Sequence, residues 1–224
     1  MRTADLARLR RSKLLAEVPV SELAAVLTGC FVQTLPEGTV LCRQGERAQF
    51  LHIVVSGRVG LFGEAADKEA LIEIFGPGDA FVVPAVMLGA PYLVTARLLD
   101  EGRILMWPAD AFHAEARANV SLALGVALQL SGYWRALITQ IKDLKLLAAT
   151  ERLSTLLLAL ASRTSGPATV TLPSGRRLVA GWLGVTPQSL SRAFAVLRPL
   201  GVTGGGREVT IADPTRLRQR KRRT

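Results

Sequence analysis

The clearest alternation of apolar and polar positions lies in residues 178–202 and predicts two short helices joined by a tight turn at Gly184. Thr186 can cap the free N–H groups at the start of the second helix. Pro187 fits the first helical position, because an N–H group there would have no intrahelical partner. An inward apolar stripe then recurs at helical spacing: Leu190, Phe194 and Leu197. The segment is therefore predicted to bury one face of its second helix.

The opposite face of that helix carries short and mostly polar side chains: Gln188, Ser191, Arg192 and Ala195. A helix that enters the major groove of DNA needs an uncluttered polar face of this kind. The pattern also fits an ordinary helical hairpin with a solvated face. Spacing alone leaves both interpretations open.

Residues 31–106 have a different pattern, because glycines separate short runs rich in β-branched residues. These runs predict short strands, with Gly57 and Gly78 where tight turns need a positive φ. We expect a small antiparallel barrel or sandwich, preceded by two short helices within residues 4–29.

A helical composition follows from about Asp110 to Leu147 and predicts one long helix. Its apolar positions form a heptad pattern: Ala123, Leu130, Leu137 and Leu144, with Val126 or Ala127, Trp134 and Ile141 between them. Such a seam suits packing against the chain's own barrel or a parallel helix pair in a homodimer. We favour the homodimer, because the stripe continues beyond the width of one barrel.

The C-terminal part predicts a small domain around the helix pair. A helix is expected to begin at Thr150, and Ser174–Gly175 suggests a hairpin. A second hairpin within Gly201–Ile211 has Arg207 near its tip, and Asp213–Pro214 ends the predicted fold. The predicted divisions are residues 1–109, the helix 110–147, residues 148–217 and a disordered basic tail at 218–224.

Charge and cysteine content narrow the class of protein. The net charge of +10 indicates an anionic partner, either nucleic acid or an acidic membrane. The only two cysteines, Cys30 and Cys42, suit a reducing cytoplasm rather than a disulfide framework. The N-terminus lacks the apolar core of a signal peptide, and the longest apolar run, 81–94, is too short to span a bilayer. We expect a cytoplasmic protein with no membrane partner.

Taken together, residues 14–217 resemble the CRP/FNR superfamily of bacterial transcription factors. The resemblance is carried by LPEGTVLCRQGERAQFLHIVVSGRVGLF, the GPGD turn at 76–79, the long helix and LGVTPQSLSRAF. FVVPAVMLGAPYLVTARLL and TPQSLSRAFAVLRPLGV are most similar to the NnrR/DNR-type branch, whose members respond to nitric oxide.

The resemblance implies an α+β protein with an N-terminal antiparallel β-roll, which is a jelly-roll-like sensor. A long dimerisation helix and a C-terminal winged helix-turn-helix would follow. It also implies a homodimer whose recognition helices meet successive major grooves, about 34–36 Å apart, on a near-palindromic operator in double-stranded DNA. RNA polymerase would be a further partner.

Within this framework, Gln188, Ser191 and Arg192 are predicted to read bases, since arginine can bind guanine O6 and N7 with two hydrogen bonds. Family members often carry glutamate at the position of Gln188. Glutamine prefers adenine, so the half-site is expected to differ from the usual one. Thr186, Ser189 and Arg207 are candidates for phosphate contacts. For Ser189, a simple solvated role is an equal alternative.

The effector is not expected to be cyclic AMP. Members that bind it carry Gly-Glu and Arg-Ser pairs, whereas this chain has an apolar run at 81–88 and Leu93–Val94 or Val94–Thr95 at the position of Arg-Ser. A cyclic phosphate would be left uncompensated there. An iron–sulfur cluster is not expected either, because two cysteines cannot supply four thiolates.

The resemblance instead implies haem as the cofactor, with nitric oxide as its gas ligand. The candidate iron ligands are His52, His113, Met87, Met106, Cys30 and Cys42, among which His52 and His113 are favoured. Pro84 and Met87 are interpreted as pocket wall. The alternatives are a packed strand histidine at 52 and a helix-surface histidine at 113.

Two other classes compete with an effector-controlled regulator. A metal-dependent enzyme on the roll would need several converging histidines, and the chain has two. We therefore expect no enzyme. A regulator with no small effector, or with another apolar ligand, stays open.

Overall fold

The computed structural model describes residues 3–66, 68–161, 166–172, 175–204 and 206–221. The chain divides into two compact units, Met1–Ala136 and Leu137–Thr224, and each has its own apolar core. The division falls inside the segment predicted as the long helix.

The first unit begins with two short helices, α1 (Thr3–Leu9) and α2 (Val20–Val26), separated by a 3₁₀ turn at Lys13–Leu15. Leu14 and Leu15 are buried in the core of the unit. The two N-terminal helices predicted in residues 4–29 are thus confirmed.

Two four-stranded antiparallel sheets then form a roll. The first has the strand order β1 (Phe31–Leu35), β8 (Gly102–Pro108), β3 (Phe50–Ser56) and β6 (Ala80–Phe81). The second has the order β2 (Val40–Cys42), β7 (Thr95–Leu98), β4 (Val59–Ala65) and β5 (Lys68–Phe75). A short helix, α3 (Val83–Leu88), follows β6.

Strand β3 lies at the centre of the roll. Residues 51–55 are all buried, which an alternating pattern would not give, because helices also pack against this strand. The predicted turn glycines have the expected conformation, with φ of +82° at Gly57 and +93° at Gly78. A side chain at Gly57 would come within 2.7 Å of Gly102 Cα, so the turn also needs the missing Cβ.

The predicted single helix from Asp110 is wrong, because Asn119 divides it into α4 (Ala109–Ala118) and α5 (Val120–Leu146). Asn119 has an extended backbone, with φ −112° and ψ 108°. Its side-chain oxygen accepts a hydrogen bond from the N–H of Leu122 at 3.0 Å, and its amide donates to Glu22 at 3.1 Å. Asn119 therefore caps a new helix.

Gly125 brings α5 close to the N-terminal 3₁₀ turn. A Cβ at this position would collide with the backbone carbonyl of Leu14. Leu122, Val126 and Gln129 lie on the same buried face of α5. A glycine that the sequence pattern treats only as a weak helix former is thus what lets α5 pack on its own roll.

Among its described residues, the second unit has four further helices and a three-stranded sheet. The helices are α6 (Ala149–Leu160), α7 (Arg176–Trp182), α8 (Pro187–Leu197) and α9 (Pro214–Lys221). The strands are β9 (Ala168–Thr171), β10 (Val202–Thr203) and β11 (Glu208–Ile211), in the order β10-β11-β9. A 3₁₀ turn, Arg198–Leu200, follows α8. The helix pair with its turn at Gly184 and the β10–β11 hairpin are as predicted.

The predictions for the Ser174–Gly175 hairpin and for the C-terminal end of this unit are wrong. No hairpin forms around Gly175, because β9 pairs with β11 and residue 176 already begins α7; Ser174 lies outside the described residues. The fold also continues past Asp213–Pro214 into α9, where Leu217 is 0% exposed in the core of the unit. The described part of the predicted tail, 218–221, is therefore helical, and residues 222–224 lie outside the description.

The start of α6 also differs from the prediction. The helix begins at Ala149, and the Glu151 carboxylate accepts the N–H of Ala148 at 2.7 Å. Thr150 therefore lies inside the first turn instead of capping it. Among the residues that the structure describes, no helix is both long and apolar enough to cross a membrane.

The Gly125 contact predicts a stability difference between two glycines of one helix. Gly125→Ala should lower the free energy of unfolding by about 1–3 kcal/mol, because the new methyl group overpacks against Leu14. Gly132→Ala should raise it by about 0.5–1 kcal/mol, because nothing lies within 4 Å of its added Cβ and alanine favours helix. Urea unfolding of both variants measures the difference, and equal effects would contradict the proposed close contact.

Candidate nucleic-acid interface and effector site

Helix α8 begins at the cap that the sequence predicts. Thr186 Oγ1 accepts the N–H of Ser189 at 3.1 Å and donates to Ser189 Oγ at 3.0 Å, and Pro187 occupies the first helical turn. The preceding turn has Gly184 at φ +62°. A side chain on Gly184 would come within 2.6 Å of Leu144 Cδ2, so this turn is packed against the end of α5.

The two faces of α8 are separated as expected. Leu190, Ala193 and Leu197 are buried. Gln188, Ser191, Arg192 and Ala195 are exposed. Phe194, predicted to point inward, is only half-buried, and the guanidinium of Arg176 lies over its ring. The face of α8 that is predicted to contact bases is thus exposed, while the opposite face packs against the core of the second unit.

Arg192 and Gln188 have unengaged side chains. Within the described part of the chain, neither side chain has a hydrogen bond or an ion pair, so the five N–H donors of Arg192 are available to a ligand. The hydroxyl proton of Thr186 is donated to Ser189 Oγ, whereas the hydroxyl proton of Ser189 stays able to donate to a ligand. A short polar surface with one uncommitted guanidinium suits contacts to base edges.

Arg207 lies beside the β10–β11 hairpin and is partly committed. Its side-chain Nε donates to the carbonyl of Leu172 at 3.3 Å, and its own carbonyl accepts the N–H of Leu172 at 2.7 Å. The residue is exposed overall. It therefore ties the hairpin to the segment after β9 while it faces solvent.

Arg176 is a residue of this interface that the sequence patterns did not single out. It begins α7, stacks on Phe194 of α8 and donates from Nη2 to the carbonyl of Gly204 at 3.1 Å. No spacing rule links these three positions, so no local signal could have found this contact.

The positive charge is concentrated in the second unit. Residues 137–224 contain 15 Lys and Arg against four Asp and Glu, whereas residues 1–136 contain 13 against 14. The second unit therefore carries essentially the whole net charge of +10. An excess of this size on a small unit favours a polyanionic partner.

The favoured effector residues lie on three elements, with Pro84 and Met87 on α3, His52 on β3 and His113 on α4. His52 on β3 is paired with Phe81 on β6, and their rings stack with centroids 5.1 Å apart and planes 10° apart. His52 is 0% exposed, and neither ring nitrogen has a hydrogen-bond partner among the described residues. Burial lowers the pKa of His52 to about 4, so the ring is neutral at pH 7. His52 is thus buried within the roll with both ring nitrogens unpaired.

His113 on α4 is half-buried, and its Nε2 lies 2.7 Å from the carbonyl oxygen of Val86 on α3. That geometry requires an N–H at Nε2, which is then not free to bind a metal. On α3 itself, Pro84 is exposed and Met87 is half-buried against the core.

The segment around α3 is apolar. Val82, Val83 and Val86 are buried, and Val82 has φ +56°, a strained value for a β-branched residue. The nearest arginine along the chain is Arg97 on β7, which donates to Glu69 at 2.9 Å and lies 4.2 Å over the ring of Phe62. No basic side chain occurs between residues 69 and 96.

Neither cysteine is disposed to act as a thiolate. Burial raises the pKa of Cys30 to about 12, with a smaller contribution from Glu115, and burial raises that of Cys42 to about 11. A protonated thiol is a poor metal ligand. No group of three or more His, Cys, Asp and Glu suited to a metal ion occurs in the described ranges.

An exposed and mostly apolar stripe runs along α5 opposite its buried face, at the spacing of a heptad repeat: Leu124, Ala127, Ser131, Trp134, Ile138, Ile141 and Lys145. Trp134 is 67% exposed. The stripe includes Trp134 and Ile141 of the predicted seam.

Other members of the predicted seam lie elsewhere. Leu130 is half-buried against the core of the roll, because it falls near the face that Gly125 brings inward. Leu137 and Leu144 are exposed at the flank of the stripe, and Leu144 contacts the Gly184 turn.

Comparison with known proteins agrees with this architecture. Residues 32–119 match the family described as cyclic nucleotide-binding domain, and residues 151–220 match the Crp-like helix-turn-helix domain. The chain is 26% identical over 220 residues to the CRP-like cAMP-activated global transcriptional regulator of Mycobacterium tuberculosis, which covers 96% of this chain and 98% of that protein.

Two further relatives come from other bacteria. The nitrogen fixation regulation protein FixK of Azorhizobium caulinodans is 31% identical over 184 residues, which is 77% of this chain and 71% of FixK. The crystal structure of DNR from Pseudomonas aeruginosa aligns with a TM-score of 0.52 and 26% identity over 98% of both chains. The two curated relatives are regulators, which confirms that this protein is not an enzyme. The chain belongs to the CRP/FNR family of DNA-binding transcription regulators.

Proposed function

We propose that the protein is a homodimeric, sequence-specific regulator that reads its operator with Gln188, Ser191 and Arg192. The observation that carries this proposal is the exposed, uncommitted polar face of a firmly packed α8. Arg192 would bind guanine, and Gln188 would bind adenine through N6 and N7. The protein would act in the cytoplasm, with RNA polymerase as its partner at the promoter.

Phosphate contacts would position these base contacts. Thr186 and Ser189 present hydroxyl groups at the start of α8, where backbone N–H groups and the helix dipole also favour a phosphate. Arg207 would contact the backbone beside the β10–β11 hairpin. The excess positive charge of the second unit supports a large electrostatic share of the affinity.

The exposed stripe on α5 supports the homodimer. A stripe of heptad spacing with large apolar residues is costly to leave in water, and two parallel copies would bury it in a coiled coil. Pairing of these helices would present two copies of α8 to successive major grooves, so the operator would be near-palindromic.

The effector would not be a cyclic nucleotide. The M. tuberculosis relative is described as cAMP-activated. In this chain, however, the segment around α3 is apolar, and Arg97 is engaged with Glu69 and Phe62. A cyclic phosphate would find no uncommitted cation there.

Haem with nitric oxide as its ligand is the second part of the proposal. A neutral imidazole with an unpaired nitrogen is the form that binds haem iron, and His52 has this form. His113 fits less well, because its Nε2 is bonded to Val86. Bound haem would supply a site for a diatomic gas, and Met87 would contribute apolar wall. An effector-independent regulator is the alternative.

Arg192→Ala should weaken binding to a duplex selected from a random library by the wild-type protein by about 1–3 kcal/mol per half-site, because a bidentate base contact is lost. Binding to a scrambled duplex should fall much less. Arg198→Ala is the matched control, since Arg198 is an exposed arginine beyond the end of α8. Titrations monitored by fluorescence anisotropy measure both affinities. Equal loss on the two duplexes would exclude base reading by Arg192.

Leu124→Glu combined with Ile138→Glu should convert the protein to a monomer at micromolar concentration, because charges on the exposed stripe oppose its burial. The affinity for the operator should fall when the protein becomes a monomer, since the second half-site would then be bound by a separate molecule. Sedimentation velocity measures the mass. Leu93→Glu, at an exposed leucine outside α5, is the control and should stay dimeric. A monomeric wild-type protein that binds its selected duplex tightly would contradict the dimer.

Purified protein titrated with haem should give a saturable Soret band at one haem per chain, and the reduced form should shift on exposure to nitric oxide. His52→Leu should abolish the saturable band, whereas His113→Leu should keep it, because both ring nitrogens of His52 are unpaired whereas Nε2 of His113 is bonded to the Val86 carbonyl. Circular dichroism establishes that both variants are folded. A broad, nonsaturating band in the wild-type protein would exclude haem and leave the effector-independent alternative.

A further inference from the structure

We infer that Arg176 is a positioning residue that fixes the β10–β11 hairpin relative to helix α8, so that backbone contacts by the hairpin and base contacts by the helix act as one unit. The inference rests on the base-reading role proposed for α8. It assigns to Arg176 no direct contact with a base.

The side chain of Arg176 connects three elements of the second unit. It extends from the first residue of α7, its guanidinium carbon lies 4.3 Å from the ring centroid of Phe194 on α8, and its Nη2 donates to the carbonyl of Gly204 at 3.1 Å. Gly204 follows β10 directly and belongs to the hairpin turn. A single planar group thus contacts both the helix and the hairpin.

The two contacts use different directions of the guanidinium. Its flat face stacks on an aromatic ring, while its N–H groups donate in the plane. Phe194 lies two residues after Arg192 on the same helix. A rotation of α8 about its axis would therefore move the ring from under the guanidinium and strain the bond to Gly204.

The hairpin end of this connection is also fixed. Gly204 has φ +131°, and a Cβ there would collide with the carbonyl of Glu208. A residue other than glycine is thus excluded by both conformation and space. The carbonyl that Arg176 contacts therefore lies where the hairpin passes close to Glu208, and a shift of the hairpin would lengthen the bond.

Two simpler roles make different predictions. A direct phosphate contact would weaken binding to all sequences equally and would not depend on Phe194. A purely stabilising role is disfavoured, because the buried Nε of Arg176 has no hydrogen-bond partner in the described residues. Such a half-satisfied guanidinium contributes little net stability.

The test is a double-mutant cycle between Arg176 and Phe194, read on the selected duplex and on the scrambled duplex. Arg176→Met should weaken operator binding about fivefold to tenfold, since it removes one stacked cation and one charge-assisted bond. Phe194→Leu should reproduce much of the loss although it removes no charge. The double variant should bind the selected duplex no more weakly than the single variant with the lower affinity.

A hydroxyl-radical footprint of each complex gives the positional readout. Both single variants should lose protection of the backbone that the hairpin covers, while protection of the backbone that flanks the bases read by α8 persists. Arg176→Lys keeps the charge without the planar group and should not restore the footprint. Circular dichroism and thermal unfolding must match the wild-type protein for each variant.

Arg177→Met is the matched control, because Arg177 is an exposed arginine on the same helix. This variant should weaken binding to the two duplexes equally and leave the footprint unchanged. Three outcomes would each overturn the inference. The losses of affinity in the cycle could be additive, Arg176→Lys could restore wild-type binding in full, or Arg176→Met could behave like Arg177→Met. Failure of the base-reading role would appear separately, as an unchanged operator preference in Arg192→Ala.

Discussion

The contact between Gly125 and the Leu14 carbonyl sets which side of α5 is buried and which is left for a partner. Because no side chain separates these backbones, Leu122, Val126 and Gln129 pack into the roll, and Gln129 reaches the carbonyl of Ala80 at 2.8 Å. Leu124, Trp134 and Ile138 then fall on the opposite side. One close approach thus defines both the core of the first unit and the surface proposed for dimerisation.

The heptad pattern alone could not settle that division. Apolar residues occur around most of α5, so the sequence fits two stripes that share Trp134 and Ile141 and place their other members one residue apart. The prediction chose the stripe through Leu130, which instead packs against the roll. Periodicity predicts that a helix has an apolar side. It cannot predict which apolar side its own domain covers when two are present.

Local signals were the part of the site that the sequence predicted well. The Thr186 cap, the Gly184 turn and the two faces of α8 each depend on neighbouring residues, and the structure has them as expected. The missed features depend on distant partners: β9 pairs with β11, Leu217 draws α9 into the core, and Arg176 joins Phe194 to Gly204. Asn119 is the exception, since an asparagine before an apolar run is a recognisable helix start.

The distribution of charge limits how an effector could control this regulator. Since the first unit is nearly neutral and the second carries the excess of Lys and Arg, the salt-dependent attraction to DNA belongs to the second unit in any state of the effector site. A small ligand near α3 would add little to that attraction. It could change operator affinity only by favouring one arrangement of the two recognition helices over another. Of the elements described, α5 is the one with residues in both units and an open apolar stripe, so control of operator binding is expected to act through its pairing.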